Sequence, residues 1–79
     1  MIFIATFYSH FGAMSYKKTC DKQGYPAHEM PVPRSLSSSC GTCVQYECEN
    51  GIILDPMPEE VEQVVKVLDK GYEQIYQTE

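Results

Sequence analysis

Basic residues are scarce in this chain: six Lys and Arg stand against eleven Asp and Glu in 79 residues, a formal charge of -5. That balance repels phosphate backbones, and the few cations are scattered. Neither nucleic acid nor an anionic membrane surface is therefore an expected partner. A long hydrophobic run is also lacking. Ile2-Phe3-Ile4-Ala5-Thr6-Phe7 has no basic region before it and stops well short of signal-peptide or membrane-spanning length. There is no Ser-His-Asp grouping, phosphate-binding loop, pair of catalytic carboxylates or internal repeat, and no cofactor is expected. The length leaves room for one domain, residues 1–79, and no second.

What is present is an ordinary apolar fraction of 43%, enough for a folded domain, and four cysteines. Without an export signal, the four Cys read as reduced thiols of a cytoplasmic protein and not as a secreted disulfide framework. The candidate chemistry then falls to metal, redox or nucleophile roles.

Ile2 to Phe7 reads as a strand, followed at once by Ser9 as an N-cap and a helix over 10–23, with Ala13, Met14, Tyr16, Lys17 and Cys20 on one face and Gly24 closing it. Residues 27–32 alternate as a strand, and Pro31 and Pro33 place it at a sheet edge. From Cys43 to Cys48 the alternation returns, with Val44, Tyr46 and Cys48 facing one way and Cys43, Gln45 and Glu47 the other. Asn50-Gly51 marks a turn. Asp55-Pro56-Met57-Pro58-Glu59-Glu60 resembles a helix start, and Val61, Val64, Val65 and Leu68 fall at i, i+3, i+4 and i+7, which predicts a second helix closed by Lys70-Gly71. Residues 72–77 complete the chain as a strand. This order predicts an α+β fold, a ferredoxin-like βαββαβ sandwich with both helices on one face of a four-stranded antiparallel sheet.

Right-handed connections in that order bring the loop between the second and third strands to the same end as the turn into the first helix. The loop is Pro33-Arg34-Ser35-Leu36-Ser37-Ser38-Ser39-Cys40-Gly41-Thr42-Cys43. Cys40 is then expected near Ser9 and His10, where free N–H groups of a helix start favour a thiolate. His10 and Arg34 are the candidate cations, Ser38 and Ser39 supply polar contacts, and Gly41 leaves an open approach and a free backbone N–H. Cys43 completes a Cys-x-x-Cys pair. A thioredoxin-type role would want that pair opening a helix, whereas here it opens a strand. A zinc site would need two more ligands, drawn from Cys20, Cys48, His10 and His28. Cys20 and Cys48 themselves read as core residues, and Glu59, Glu60 and Glu62 as first-turn acids on a solvated helix face.

Phe7-Tyr8-Ser9-His10, Pro31-Val32-Pro33-Arg34 and above all Ser37-Ser38-Ser39-Cys40-Gly41 resemble the selenium/sulfur carrier protein-like family of small bacterial and archaeal proteins. The likeness spans nearly the whole chain. It implies a small α+β domain in which the Cys of the Ser-Cys-Gly run, Cys40, carries sulfur or selenium as a persulfide or selenosulfide. The implied partners are a donor and an acceptor protein. Cys43 lies outside the family's core pattern, and residues 49–58 are longer than its usual link into the last helix. Two alternatives stand beside this reading. One is a binding or adaptor module with an edge strand free for homodimerisation; the other is a metal- or redox-sensing module built on the Cys pair.

Overall fold

A computed structural model describes residues 1–78. Its elements in chain order are β1 (Ile2–Phe7), α1 (His10–Lys22), β2 (Ala27–Pro31), β3 (Thr42–Glu47), β4 (Val61–Leu68) and β5 (Gly71–Gln77). The five strands form one sheet in the order β2-β3-β1-β4-β5, antiparallel throughout. β1 is central because all of its residues after Ile2 are buried. A strand covered on both faces must be apolar or internally paired at every position.

The first half follows the sequence reading. Ser9 caps α1, its side chain accepting from Gly12 N–H at 3.1 Å. The helix returns over the sheet, and β2 enters at the edge next to β3, where the missing N–H groups of Pro31 and Pro33 cost no ladder bonds. β1 and β2 both pair antiparallel with β3, so they point the same way, and the β2–β3 loop shares an end of the domain with the turn into α1.

The second half corrects it. The fold is not a ferredoxin-like βαββαβ sandwich with four strands and two helices; there is one helix and a five-stranded antiparallel sheet among the described residues. The segment expected as the second helix is β4, paired with β1 from Phe3↔Lys66 to Phe7↔Val61. Four valines in this stretch are β-branched and favour a pleated surface. Their helix-like spacing arises because the strand is buried on both faces and its register shifts at Glu62: Val61 and Val64 join the core beneath α1, while Val65 faces the opposite side. Lys70-Gly71 does not end a helix. Asp69 and Lys70 turn the β4–β5 hairpin, with Gly71 at φ +146°.

The proline-containing link, residues 48–60, lies along the helix-covered face. Ile53 enters the core there, and Leu54 and Met57 pack against it. Gly51 makes this close approach possible, since its φ is +82° and a Cβ would sit 2.7 Å from Phe3 Cε1.

Beneath α1 the core holds Phe3, Ala5, Phe7, Val44, Tyr46, Val61 and Val64 against Ala13, Tyr16 and Cys20. Met14 and Lys17, expected on the inner stripe, lie outside the helix's buried set of Gly12, Ala13, Tyr16 and Cys20. Tyr16 O–H donates to Tyr46 Oη at 2.9 Å, and Tyr46 O–H donates to Gly51 C=O, so each buried phenol is satisfied. Burial pushes both phenols well above the usual tyrosine range, which keeps these donors protonated. On the other face Ile4, Cys43 and Val65 pack with Met30, Val32, Leu36, Val67 and Tyr72.

Candidate functional site

The loop between β2 and β3 is a sequence of turns and bends that gives its polar groups to its neighbours. Ser38 Oγ donates to Phe7 C=O at 3.2 Å, which fixes the loop to the end of β1. Ser39 is held twice by Glu62 on β4: its N–H donates to one carboxylate oxygen and its hydroxyl to the other, both at 3.1 Å. Gln63 Nε2 donates to Ser37 C=O at 3.3 Å. The three serines are therefore anchors that fix the position of the residue after them.

That residue, Cys40, is half-buried and packs against the core beneath α1. Its thiol donates to Thr42 C=O, Sγ to O 3.4 Å. Gly41 has φ +75°, and an added Cβ would meet no atom of non-neighbouring residues within 4 Å, so space lies open over Gly41. A side chain there would be strained by the backbone, not by crowding. Gly41 C=O accepts from Val32 N–H at 3.2 Å and closes the base of the loop.

His10 reaches this end of the domain, its Nδ1 lying 3.0 Å from Thr42 Oγ1. Its link to Cys40 thus runs through Thr42, whose side chain meets the imidazole and whose carbonyl meets the thiol. Ser9 caps α1 and donates to Glu60 Oε2 at 2.6 Å. Arg34 forms no ion pair among the described residues, where the one salt bridge joins Lys17 and Asp21 at 3.0 Å. The structure therefore gathers Ser9, His10, Ser38, Ser39, Cys40 and Gly41 at one end of the sheet, and it gives Cys40 Sγ no hydrogen bond to His10 or Arg34.

Cys43 points away from this surface. It is fully buried between Ile4 and Val65 on the sheet face opposite α1, and its thiol donates to Pro31 C=O at 3.7 Å. Desolvation, with a smaller contribution from the neighbouring Cys40, pushes the Cys43 thiol up to about 11. Beside it, the hydroxyl of Thr6, paired with Cys43 across the β1–β3 ladder, is buried without a hydrogen-bond partner.

Glu60 and Glu62 escape a sequence reading that assigns them to a helix. Glu60 immediately precedes β4 and Glu62 sits at the register shift between the pairs Phe7↔Val61 and Thr6↔Gln63, and the two carboxylates meet Ser9 and Ser39. Gly12 preserves one of these contacts, since a Cβ there would lie 2.6 Å from Glu60 Cβ.

No three of the described His, Cys, Asp and Glu residues gather in a way that could hold a metal ion. No helix among the described residues is long and apolar enough to cross a membrane. Compared with known proteins, the chain matches one family model, described as "Putative Se/S carrier protein-like", over residues 3–77. No curated protein and no solved structure matches it.

Proposed function

The chain belongs to the Se/S carrier protein-like family, and from this premise we propose that Cys40 is the carrying thiol of a cytoplasmic sulfur or selenium carrier. The observation that supports this reading is the setting of Cys40: a half-buried thiol held in place by three anchored serines, with open space over the next residue. Loading is a transpersulfidation. The Cys40 sulfur attacks the outer sulfur of a donor persulfide; the Cys40 S–S bond forms as the donor S–S bond breaks, and the donor leaves as a thiol with the displaced proton. Delivery is the same exchange towards an acceptor nucleophile. The partners are accordingly a donor protein that bears a persulfide and an acceptor that takes the sulfane sulfur, and the domain acts as an accessory carrier.

Within this reading Cys43 has no surface from which to meet a partner, so exchange with other proteins falls to Cys40. Cys43 lies on the sheet face opposite the cluster against which Cys40 packs, so no exchange step is assigned to it. His10, held by Thr42, and the anchored serines keep the loop in position for either step.

The test is loading by a small-molecule persulfide donor, read by intact mass. In a Cys48→Ser background, which removes the other accessible thiol, the chain gains one sulfur atom with Cys40 present, and Cys40→Ser gains none. Equal gain by Cys40→Ser would overturn the assignment.

A further inference from the structure

A second thiol pair lies at the far end of the domain, outside the loop. α1 and β3 run in the same direction, as three contacts along them show. His10 meets Thr42 at the start of both elements, Tyr16 in mid-helix meets Tyr46 near the end of β3, and Gln23 Nε2 donates to Ile53 C=O at 3.1 Å beyond their ends. From the Tyr16–Tyr46 hydrogen bond, Cys20 is one helical step of four residues further along α1, about 6 Å. Cys48 is two residues beyond Tyr46, about 6.6 Å in the same direction along the extended chain. Cys48 Sγ is tied to Gly51, whose carbonyl accepts from Tyr46, and Tyr46 accepts from Tyr16 one helical turn before Cys20, so the two cysteines border the same chain of contacts in one apolar cluster.

The two differ in access. Cys20 is fully buried, whereas Cys48 is half-buried and borders an open depression with Met1, Tyr25, Glu49, Asn50 and Ile52. Cys48 Sγ also accepts a hydrogen bond from Gly51 N–H at 3.2 Å, which holds the sulfur against the Asn50-Gly51 turn. Cys48 is the more accessible of the two and Cys20 is enclosed, an arrangement suited to attack followed by resolution.

We propose that Cys48 and Cys20 are an oxidation site, in which Cys48 takes the first bond from a low-molecular-weight disulfide and Cys20 resolves it to an intramolecular bridge between α1 and the end of β3. In the first step Cys48–SH and RSSR give Cys48–S–SR and RSH. In the second, the Cys20 sulfur displaces RS⁻, which leaves with the Cys20 proton as RSH. The two protein thiols are oxidised and one RSSR is reduced to two RSH. Desolvation raises the Cys20 thiol to about 11, with Cys48 next among the causes, which agrees with a close pair and with Cys20 acting second. Because the bridge would join residues 20 and 48 across the core, it would act on the stability of the domain independently of sulfur carriage at Cys40.

The Cys40→Ala chain, which has no carrier thiol, is incubated with glutathione disulfide, its free thiols are blocked, and it is digested with trypsin and chymotrypsin. Cleavage after Lys18, Lys22 and Tyr46 separates Cys20, Cys43 and Cys48 into different peptides. The expected result is joint loss of alkylation at Cys20 and Cys48, a linked pair of peptides containing them, and recovery of both thiols on reduction. In Cys48→Ser, Cys20 stays fully alkylatable after unfolding. The proposal is overturned if Cys48 stops at the mixed glutathione adduct while Cys20 stays free, or if the bridge joins Cys43.

Discussion

Replacing Glu62 by Ala should release the loop that carries Cys40. The Glu62 carboxylate accepts two hydrogen bonds from Ser39, from its N–H and its hydroxyl, each at 3.1 Å. A net hydrogen bond contributes about 0.5–1.5 kcal/mol, and these two are open to water, so their combined loss is set at about 1–2 kcal/mol. A shift of that size changes an opening equilibrium by roughly 5–30-fold. The Ser39 amide is the direct reporter, since it is one of the donors. Its hydrogen exchange, followed by NMR under conditions where reclosing is fast, should accelerate by roughly that factor in Glu62→Ala. Glu62→Gln keeps a carbonyl acceptor for one of the two donors and should accelerate it less. If the Ser39 amide exchanges at the same rate in all three proteins, Glu62 does not anchor the loop.

The remaining expectations concern the core. Tyr46→Phe removes the link between Tyr16 O–H and Gly51 C=O and leaves both without a partner, a loss of about 2–4 kcal/mol in urea titration. Tyr16→Phe leaves the bond to Gly51 in place and should cost only about 1 kcal/mol, so equal losses would contradict the stated direction of the chain. Alkaline pH should weaken the fold, because Cys20 and Cys43 are raised from the ordinary 9.0 to about 11. Between those values the unfolded chain has shed protons that the folded chain still holds, so unfolding releases protons and stability falls as pH rises. The contribution is fully present below pH 9 and is lost as pH rises through about 11. Midpoints measured from pH 8 to 10 should fall, less steeply in Cys43→Ala; a flat profile would refute the burial argument.

The parts of the fold legible in the sequence were those in which several local signals agree. The Ile/Phe run of β1, the Ser9 cap and the prolines flanking β2 each have one physical reading, and together they set the end of the domain at which Cys40 lies. The stretch 61–68 was not legible in this way. Val61, Val64 and Val65 match a helical stripe, and the same spacing fits a strand buried on both faces whose register shifts at Glu62; the β-branched composition was the evidence for the strand. That one assignment also hid Glu60 and Glu62, because an acid on the first turn of a helix and an acid on a strand point to different neighbours. Cys43 illustrates the converse. Alternation along β3 set it on the face opposite Val44 and Tyr46, but only the packing of Ile4 and Val65 around it shows that this face is closed to solvent.

The central claim, that Cys40 is the thiol on which sulfur is carried, is tested most directly by locating the added atom. After the unaltered chain has been exposed to a persulfide donor, its cysteine-containing peptides are fragmented and each of the four cysteines is assigned its mass. The account predicts one extra sulfur on Cys40, with Cys20 and Cys43 unmodified. Sulfur found mainly on Cys43 or Cys48, with Cys40 still a free thiol, would contradict it.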